Sequence, residues 1–347
     1  MYKELIDKLA LNHILTYDEY LLLIKNRCQV REYAALLARK TCEKYYQNKV
    51  FIRGLIEFTN HCKNNCLYCG IRAGNNKVDR YRLSKEDIID CADIGYSLGF
   101  RTFVLQGGED LYYTDDYLVE IIKEIKNKHK DCAITLSIGE RSYESYKLLK
   151  EAGADRYLLR HETIDKNHYE TLHPSNMSFD NRMRCIKDLK ELGYQVGVGF
   201  MVSSPNQTEE MLAKELVFLK ELNPHMVGIG PFIPHKDTPF GNETSGNAEL
   251  TTFLLSLIRL TLPMVLLPAT TALGTIDPKG REKGILAGAN VLMPNLSPKD
   301  VRKKYLLYDN KICTGDEAAS CIQCLKRRIQ SIGREIIIDR GDYALLK

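Results

Sequence analysis

The chain has 347 residues, of which 44% are apolar and 27% are charged. This composition is typical of a globular protein with a substantial core, and the length suits one large domain or two ordinary ones. The formal net charge is only +4, and no long basic run is present. These features argue against nucleic acid as a partner.

Neither the first residues nor the most apolar stretch has the pattern of an export signal or a membrane span. Residues 1–8 are polar and charged, unlike a signal peptide. Residues 253–269 are apolar but are interrupted by Arg259, Pro263 and Pro268, which predicts a helix followed by a strand and not a membrane span. We therefore expect a cytoplasmic chain that has no membrane partner.

The order of predicted elements changes near residue 50. Residues 1–50 have apolar side chains at helical spacing and no Gly or Pro, which predicts helices. Eight strand-like segments follow, at residues 51–58, 102–105, 133–138, 156–159, 196–202, 226–233, 264–267 and 289–293. Amphipathic helical stretches lie between them, at residues 85–98, 115–128, 143–152, 181–192 and 209–222. Gly99, Gly153 and Gly193 stand where three of these helices should end.

Alternating strands and helices predict a parallel sheet covered by helices. Eight such units favour an α/β fold of the closed (β/α)8 TIM-type barrel over an open sheet. We predict a helical N-terminal segment at 1–50, the barrel at 51–296, and a C-terminal extension at 297–347.

Polar residues cluster where the predicted strands end. These residues are Gln106 to Asp110, Gly139 and Glu140, Arg160 to Thr163, His235, Thr270 and Thr271, and Asn295. In a closed barrel all these strand ends meet at one mouth, where active sites lie. We therefore expect the functional site there.

Eleven cysteines without an export signal indicate metal or redox chemistry and not a disulfide framework. Three of them, Cys62, Cys66 and Cys69, form the pattern C-x3-C-x2-C directly after the first predicted strand. A second group is formed by Cys313, Cys321 and Cys324. The remaining five are expected to be small buried residues: Cys28, Cys42, Cys91, Cys132 and Cys185.

The first group supplies three thiolates, and His61 is the one extra donor nearby. Structural zinc prefers four protein ligands, whereas a four-iron cubane held by three thiolates leaves one iron open to a small ligand. This pattern points to radical chemistry. Two alternatives remain open: the cysteines bind zinc together with a distant fourth ligand, or they are unrelated core residues.

The cysteine loop, with Tyr68 before its last cysteine and Gly107, Gly108 and Glu109 after the second strand, resembles the radical S-adenosylmethionine superfamily. The resemblance implies a 4Fe–4S cluster on Cys62, Cys66 and Cys69, with S-adenosylmethionine bound to the fourth iron. Reductive cleavage of that cofactor then gives a 5′-deoxyadenosyl radical. The cofactor-binding residues are expected to be Tyr68, Gly107, Gly108, Glu109, Glu140, Arg160, Glu162 and Arg182.

A narrower resemblance covers about residues 50 to 325. Residues 56–60, 154–163, 226–235, 268–272 and 291–295 are similar to the HydE family of FeFe-hydrogenase maturases. This implies a role in building the diiron subcluster of the hydrogenase, by radical attack on the sulfur of a small organometallic precursor. The implied partners are other hydrogenase maturases and an electron donor such as a flavodoxin or ferredoxin.

The same resemblance suggests roles for individual residues. Glu162 is expected to bind the ammonium and Arg182 the carboxylate of the methionine moiety. Thr270 and Thr271 resemble a pair that contacts an anion deep in the cavity, and Met226 and Met293 are expected to line it. A surface ion pair for Arg182, ordinary strand threonines and core-filling methionines are the alternatives.

The second cysteine group has the spacing C-x7-C-x2-C. In the HydE family this spacing indicates an auxiliary 2Fe–2S or 4Fe–4S site, and zinc is the alternative. Two other functions stay open for the whole chain. One is a radical synthase or mutase acting on a small amino acid, similar to methylornithine synthase, and the other is a non-catalytic iron–sulfur scaffold.

Overall fold

The computed structural model describes residues 1–315 and 322–346. Its helices are α1 (Tyr2–Asn12), α2 (Tyr17–Lys25), α3 (Arg31–Tyr46), α4 (Lys85–Ser97), α5 (Asp115–Lys128), α6 (Tyr143–Glu151), α7 (Lys166–Leu172), α8 (Phe179–Glu191), α9 (Glu209–Leu222), α10 (Ala248–Thr261), α11 (Thr271–Ile276), α12 (Gly280–Leu286), α13 (Lys299–Arg302) and α14 (Ile322–Gln330). Among these described residues, no helix has the length and apolar character needed to cross a membrane.

The strands are β1 (Lys49–Ile52), β2 (Gly54–Thr59), β3 (Thr102–Gly107), β4 (Ala133–Ser137), β5 (Arg156–Leu158), β6 (Gln195–Val198), β7 (Met201–Val202), β8 (Met226–Val227), β9 (Gly230–Pro231), β10 (Val291–Leu292) and β11 (Glu335–Ile337). A parallel six-stranded sheet has the order β2-β3-β4-β5-β6-β8. Parallel bridges from Met226 to Leu266 and from Pro268 to Val291 continue it to β10. Because β10 pairs with β1, which runs directly into β2, the ring closes and the predicted barrel is confirmed.

Three predicted strands are less regular than expected. Residues 264–267 form no continuous strand; they join the barrel through a bridge at Leu266 and through the Leu267 carbonyl, which accepts from the amides of Asn290 and Val291. The predicted strands at 196–202 and 226–233 each divide into two short ladders. At the first break Gly199 lies against the backbone of Gly228 so closely that an added Cβ would be 1.9 Å from its carbonyl oxygen.

Local signals explain most helix limits. Ser84, Thr114, Ser142, Ser178 and Thr208 cap the N-termini of five barrel helices with their side-chain oxygens. The predicted stops at Gly99, Gly153 and Gly193 are confirmed, since all three have positive φ. The helices predicted at 115–128 and 209–222 have the same limits in the structure.

The single cysteines were only partly predicted. Cys42, Cys91, Cys132 and Cys185 are buried, as expected. The prediction is wrong for Cys28, which is exposed. It lies in a short 3-10 turn between α2 and α3, where the chain passes over the surface.

Candidate functional site

A cavity of about 300 Å³ opens at the C-terminal ends of the barrel strands. The residues from the predicted site that line it are Cys62, Cys66, Tyr68, Cys69, Gly107, Gly108, Glu109, Arg160, Glu162, Arg182 and Thr270. A larger groove of about 590 Å³ lies between α3, α10 and α12, but Arg31 and Glu249 on its wall are paired with each other. We place the chemistry in the first cavity, because the thiols and the charged strand-end residues meet there.

Arg80 organises the loop that holds the three thiols. Its guanidinium donates hydrogen bonds to the carbonyl oxygens of Asn60, Ile71, Arg72 and Asn75. A guanidinium can satisfy several carbonyls at once because its five N–H groups form a rigid fork. Arg80 therefore fixes the loop on both sides of the cysteines, and the motif itself gave no sign of this role.

Backbone hydrogen bonds attach the cysteine loop to two separate parts of the mouth. The amide of Lys63 donates to the carbonyl of Glu109 at 2.9 Å, and that of Leu67 donates to the carbonyl of Leu172 at 3.0 Å. Gly108 permits the first approach, since an added Cβ would be 2.1 Å from the carbonyl oxygen of His61. The loop is thus held in place by the barrel and not by its own residues alone.

The three thiols influence one another. Burial raises the pKa of Cys66 well above its ordinary value, and Cys69 and Cys62 raise it further. Burial also raises the pKa of Cys69 to about 12, with Cys62 adding to the effect. Thiolates at these positions therefore need a nearby cation, which a bound metal would supply.

The placement of the three cysteines fits an iron–sulfur cluster. Cys62, Cys66 and Cys69 all line the same cavity. Three thiolates around one space suit such a cluster, because each thiolate binds a different iron.

Tyr68 is held in one orientation by α7. His173 contacts the carbonyl of Tyr169 through Nδ1 at 2.9 Å, so Nδ1 must carry the proton. The Tyr68 hydroxyl then donates to Nε2 of His173 at 3.3 Å. Burial lowers the pKa of His173 to about 3, which keeps this ring neutral. The pair presents the Tyr68 ring to the cavity in a fixed position.

Glu162 and Arg160 are two charged residues that line the same cavity. Glu162 has a left-handed backbone with φ of 65°, which is uncommon for a residue with a side chain. Arg160 Nη2 lies 3.1 Å from Glu162 Oε2, but neither atom has a hydrogen-bond partner with suitable geometry. This ion pair of poor geometry leaves hydrogen-bonding capacity on both groups, which suits a ligand with charges of both signs.

Arg182 on α8 faces the same cavity. Its Nε donates to Glu140 Oε1 at 2.5 Å, and Asn181 Nδ2 donates to Glu140 Oε2 at 2.6 Å. Arg182 also donates to the carbonyl of Arg160. Glu140, a predicted cofactor contact, does not line this cavity and instead holds Arg182 in position.

We expect Arg182→Ala to weaken S-adenosylmethionine binding about tenfold, because the charge-assisted hydrogen bond to the cofactor carboxylate that the family resemblance implies would be lost. Anaerobic equilibrium dialysis measures the affinity, and iron and sulfide analysis measures the cluster content, which should not change. Arg184→Ala, on the same helix but partly exposed, is the matched control. Loss of the cluster in Arg182→Ala would show that the residue is structural.

His161 lies between Arg160 and Glu162 in sequence, but its side chain contacts the helical layer and not the cavity. It is fully buried, and its Nε2 is 2.7 Å from Glu215 Oε2 on α9. Glu215 Oε1 also accepts a hydrogen bond from the amide of Ile164. This pair joins the strand end to the helical layer and does not reach the cavity.

Thr270 lines the cavity and caps the N-terminus of α11. Three other predicted cavity residues are not among its lining residues: Thr271, Met226 and Met293. Thr271 is the first residue of α11. Met226 and Met293 pack in an apolar cluster with Leu158 inside the barrel, and the sulfur of Met226 accepts a hydrogen bond from Arg53.

The C-terminal extension supplies a wall of the cavity that the sequence did not predict. We call residues 305–313 the C-terminal strap. Its residues Tyr305, Leu307 and Tyr308 line the cavity, as does Gln106 of β3. The sequence feature that could have predicted this wall is the run Tyr305 to Tyr308, which is aromatic and apolar within a polar extension.

The second cysteine group lies elsewhere. Cys313 and Cys324 line a separate cavity of about 400 Å³, together with Arg281 and Arg328. Arg281 Nη1 is 3.7 Å from the Cys313 sulfur. Cys321 lies outside the described residues.

A parallel barrel with three thiols and both acidic and basic side chains at its mouth is the arrangement of a radical S-adenosylmethionine enzyme. The model of the Radical SAM superfamily matches residues 56–219. A relative, the FeFe hydrogenase maturase subunit HydE of Thermotoga maritima, is 48% identical over 86% of this chain and 85% of its own length. The chain belongs to the HydE family, which implies a 4Fe–4S cluster and S-adenosylmethionine as its cofactors.

Other relatives share the architecture. The 3-methylornithine synthase of Methanosarcina acetivorans is 31% identical over 86% of this chain and 83% of its own length. The crystal structure of methylornithine synthase (PylB) has a TM-score of 0.84 at 27% identity, over 96% of this chain and 97% of that one. The structure of the maturase HydG has a TM-score of 0.78 at 22% identity, over 96% and 75%, and supports the fold alone.

Proposed function

We propose that this chain is a maturase that helps to assemble the diiron subcluster of FeFe-hydrogenase. Its radical would attack the sulfur of a small organometallic or sulfur-containing iron precursor. The observation that carries the proposal is that thiols, charged side chains and an aromatic wall share one cavity in a chain that is 48% identical to a HydE maturase.

Each group of cavity residues would have a role that suits its chemistry. Cys62, Cys66 and Cys69 would hold the cluster, which supplies the electron that cleaves S-adenosylmethionine to the 5′-deoxyadenosyl radical. Glu162 would accept the ammonium of the cofactor, and Arg182 would bind its carboxylate. The surrounding side chains keep water out, so that hydrogen donors other than the substrate are absent.

The substrate would lie on the side of the cavity away from the cysteine loop. Thr270 presents a hydroxyl there, at the N-terminus of α11. Hydroxyl donors in a largely apolar cavity suit a guest that carries polar or anionic ligands.

The proposal extends to other parts of the chain. Cys313, Cys321 and Cys324 would hold a second Fe–S cluster, either 2Fe–2S or 4Fe–4S. Other hydrogenase maturases and a flavodoxin or ferredoxin would be its partners. The division into residues 1–50, 51–296 and 297–347 also remains a proposal.

The first test is the formation of 5′-deoxyadenosine. The protein is reconstituted with iron and sulfide under anaerobic conditions and mixed with dithionite and S-adenosylmethionine. We expect 5′-deoxyadenosine from the wild type and none above background from Cys66→Ala, because an incomplete thiol set cannot hold the cluster. Equal product from both proteins would contradict the assignment of the first cysteine group.

A second candidate function is a radical mutase or synthase acting on a small amino acid. The TM-score of 0.84 to methylornithine synthase favours it. Maturation of an FeFe-hydrogenase apoprotein in vitro, with and without this protein, separates the two. Equal hydrogenase activity in both arms, together with product formed from a small amino acid, would favour the second function.

A further inference from the structure

The C-terminal strap connects separate parts of the barrel mouth. The carbonyl of Leu307 accepts a hydrogen bond from the amide of Gly70 in the cysteine loop at 2.9 Å. The amide of Asp309 donates to the carbonyl of Pro234 at 3.0 Å, and that of Ile312 donates to the hydroxyl of Thr275 at 3.4 Å. These contacts are single hydrogen bonds made by the strap backbone, which open locally at little cost unless something deeper holds the segment.

A buried ion pair beneath the strap is that deeper contact. Lys311 Nζ lies 2.5 Å from Glu57 Oε1, and the two side chains are 5% and 1% exposed. Lys311 Nζ also donates to the carbonyl of Tyr305 at 2.8 Å. On the other side, Asn295 Nδ2 donates to Glu57 Oε2 at 2.7 Å. One ammonium thus joins β2 of the barrel to both ends of the strap.

The pair also sets the position of the cavity wall. Lys311 Nζ lies 4.8 Å from the centre of the Tyr305 ring, and the Tyr305 hydroxyl is 3.4 Å from Gln106 Nε2. Both Tyr305 and Gln106 line the cavity. A movement of Lys311 would therefore move a residue that faces the reacting groups.

A buried ion pair adds little net stability compared with an apolar pair, because both charges lose their hydration. Its effect is geometric, since each charge has few alternative partners at that depth. Removing one member leaves the other charge buried without compensation. A segment held in this way is either closed on its partner or released towards solvent.

We propose that Lys311 is a positioning residue whose buried pair with Glu57 fastens the C-terminal strap across the barrel mouth and closes the radical cavity. Its importance for catalysis rests on the proposed function. The closure itself is a property of the fold and can be measured without any cofactor.

Hydrogen exchange of the full chain tests the closure directly. In Lys311→Met, we expect the amides of Asp309 and Ile312 to exchange about tenfold faster than in the wild type. Amides in α5, far from the strap, serve as an internal reference and should not change. The matched control is Lys304→Met, which removes a lysine beside the strap whose ion pair with Asp79 is exposed. Equal strap exchange in Lys311→Met and Lys304→Met would overturn the proposal.

A second variant covers the case in which Lys311→Met is too unstable to study. The double variant Glu57→Met and Lys311→Met leaves no uncompensated charge, and such replacements are usually tolerated. We expect it to fold and still to exchange its strap amides about tenfold faster than the wild type. Wild-type exchange in this variant would show that the ion pair does not hold the strap.

The effect of Lys311→Met on catalysis is measured in a separate experiment. In reconstituted Lys311→Met, the fraction of 5′-deoxyadenosine formed without consumption of the iron precursor should rise, because an open cavity lets the radical react elsewhere. An unchanged fraction together with faster strap exchange would overturn the role in closing the radical cavity. Absence of 5′-deoxyadenosine from the wild type would instead contradict the proposed function and leave the exchange result standing.

Discussion

Replacing Glu162 by glutamine is expected to weaken S-adenosylmethionine binding about a hundredfold, because truncating a buried charge partner at an interface costs several kcal/mol. Glu162 is 7% exposed, and its Oε2 atom lies 3.1 Å from Arg160 Nη2 without a hydrogen bond of suitable geometry. Glutamine keeps the shape of the side chain but removes the negative charge that would pair with the cofactor ammonium. The cluster should still form, since no thiol is changed.

The measurement has two parts. Anaerobic equilibrium dialysis gives the dissociation constant of S-adenosylmethionine, and iron and sulfide analysis gives the cluster content. Glu170→Gln, an exposed glutamate on nearby α7, is the control and should bind as the wild type does. Unchanged affinity in Glu162→Gln would remove the assignment of this carboxylate, and a lost cluster would make it a structural residue.

The residues just beyond β5 divide between the cavity and the helical layer. Arg160 and Glu162 line the cavity, and His161 between them pairs with Glu215 on α9. Strand alternation would place neighbours on opposite sides, but these residues follow the end of β5, and Glu162 has a left-handed backbone with φ of 65°. Sequence parity alone therefore does not predict which of them reach the cavity.

The barrel was predictable because its signals are local. Helix caps, glycine stops and short apolar runs each depend on a few adjacent residues, and eight repeats made closure the best solution. Residues 264–267 do not form the continuous strand that was predicted, because that segment joins its neighbours through single bridges. A short apolar run cannot reveal how many ladder hydrogen bonds it will form.

The contacts that set the site depend on residues far apart in sequence. Lys311 and Glu57 are separated by 254 positions, and no local pattern marks either as a partner of the other. Arg80 similarly satisfies four carbonyls of a loop that has no regular structure. The motif thus identified the groups that do the chemistry, whereas the residues that hold them in place appeared only in three dimensions.

Replacing Asp342 by asparagine is expected to lower the free energy of unfolding by about 3 kcal/mol at neutral pH, because it leaves a buried arginine without its counter-charge. Asp342 closes the N-terminal end of the barrel. Its Oδ1 is 2.6 Å from Nη2 of Arg156, which is 1% exposed, and its Oδ2 is 2.9 Å from Nε of Arg340. Gln195 Nε2 donates to the same carboxylate at 3.0 Å.

The pH dependence gives this prediction a second, independent readout. Burial acts to raise the pKa of Asp342, but Arg156, Gln195 and Arg340 outweigh it and hold the pKa well below its usual value. A depressed folded-state pKa means that the stabilisation is fully present above the unfolded pKa of about 3.9 and is lost as the pH falls through the folded value.

Urea unfolding should therefore show a difference between wild type and Asp342→Asn that is constant near neutrality and shrinks below about pH 4. Asp131→Asn, which removes an exposed carboxylate paired with Arg101, should cost less than about 1 kcal/mol. Equal unfolding midpoints for wild type and Asp342→Asn at pH 7 would mean that Arg156 is compensated by its other contacts.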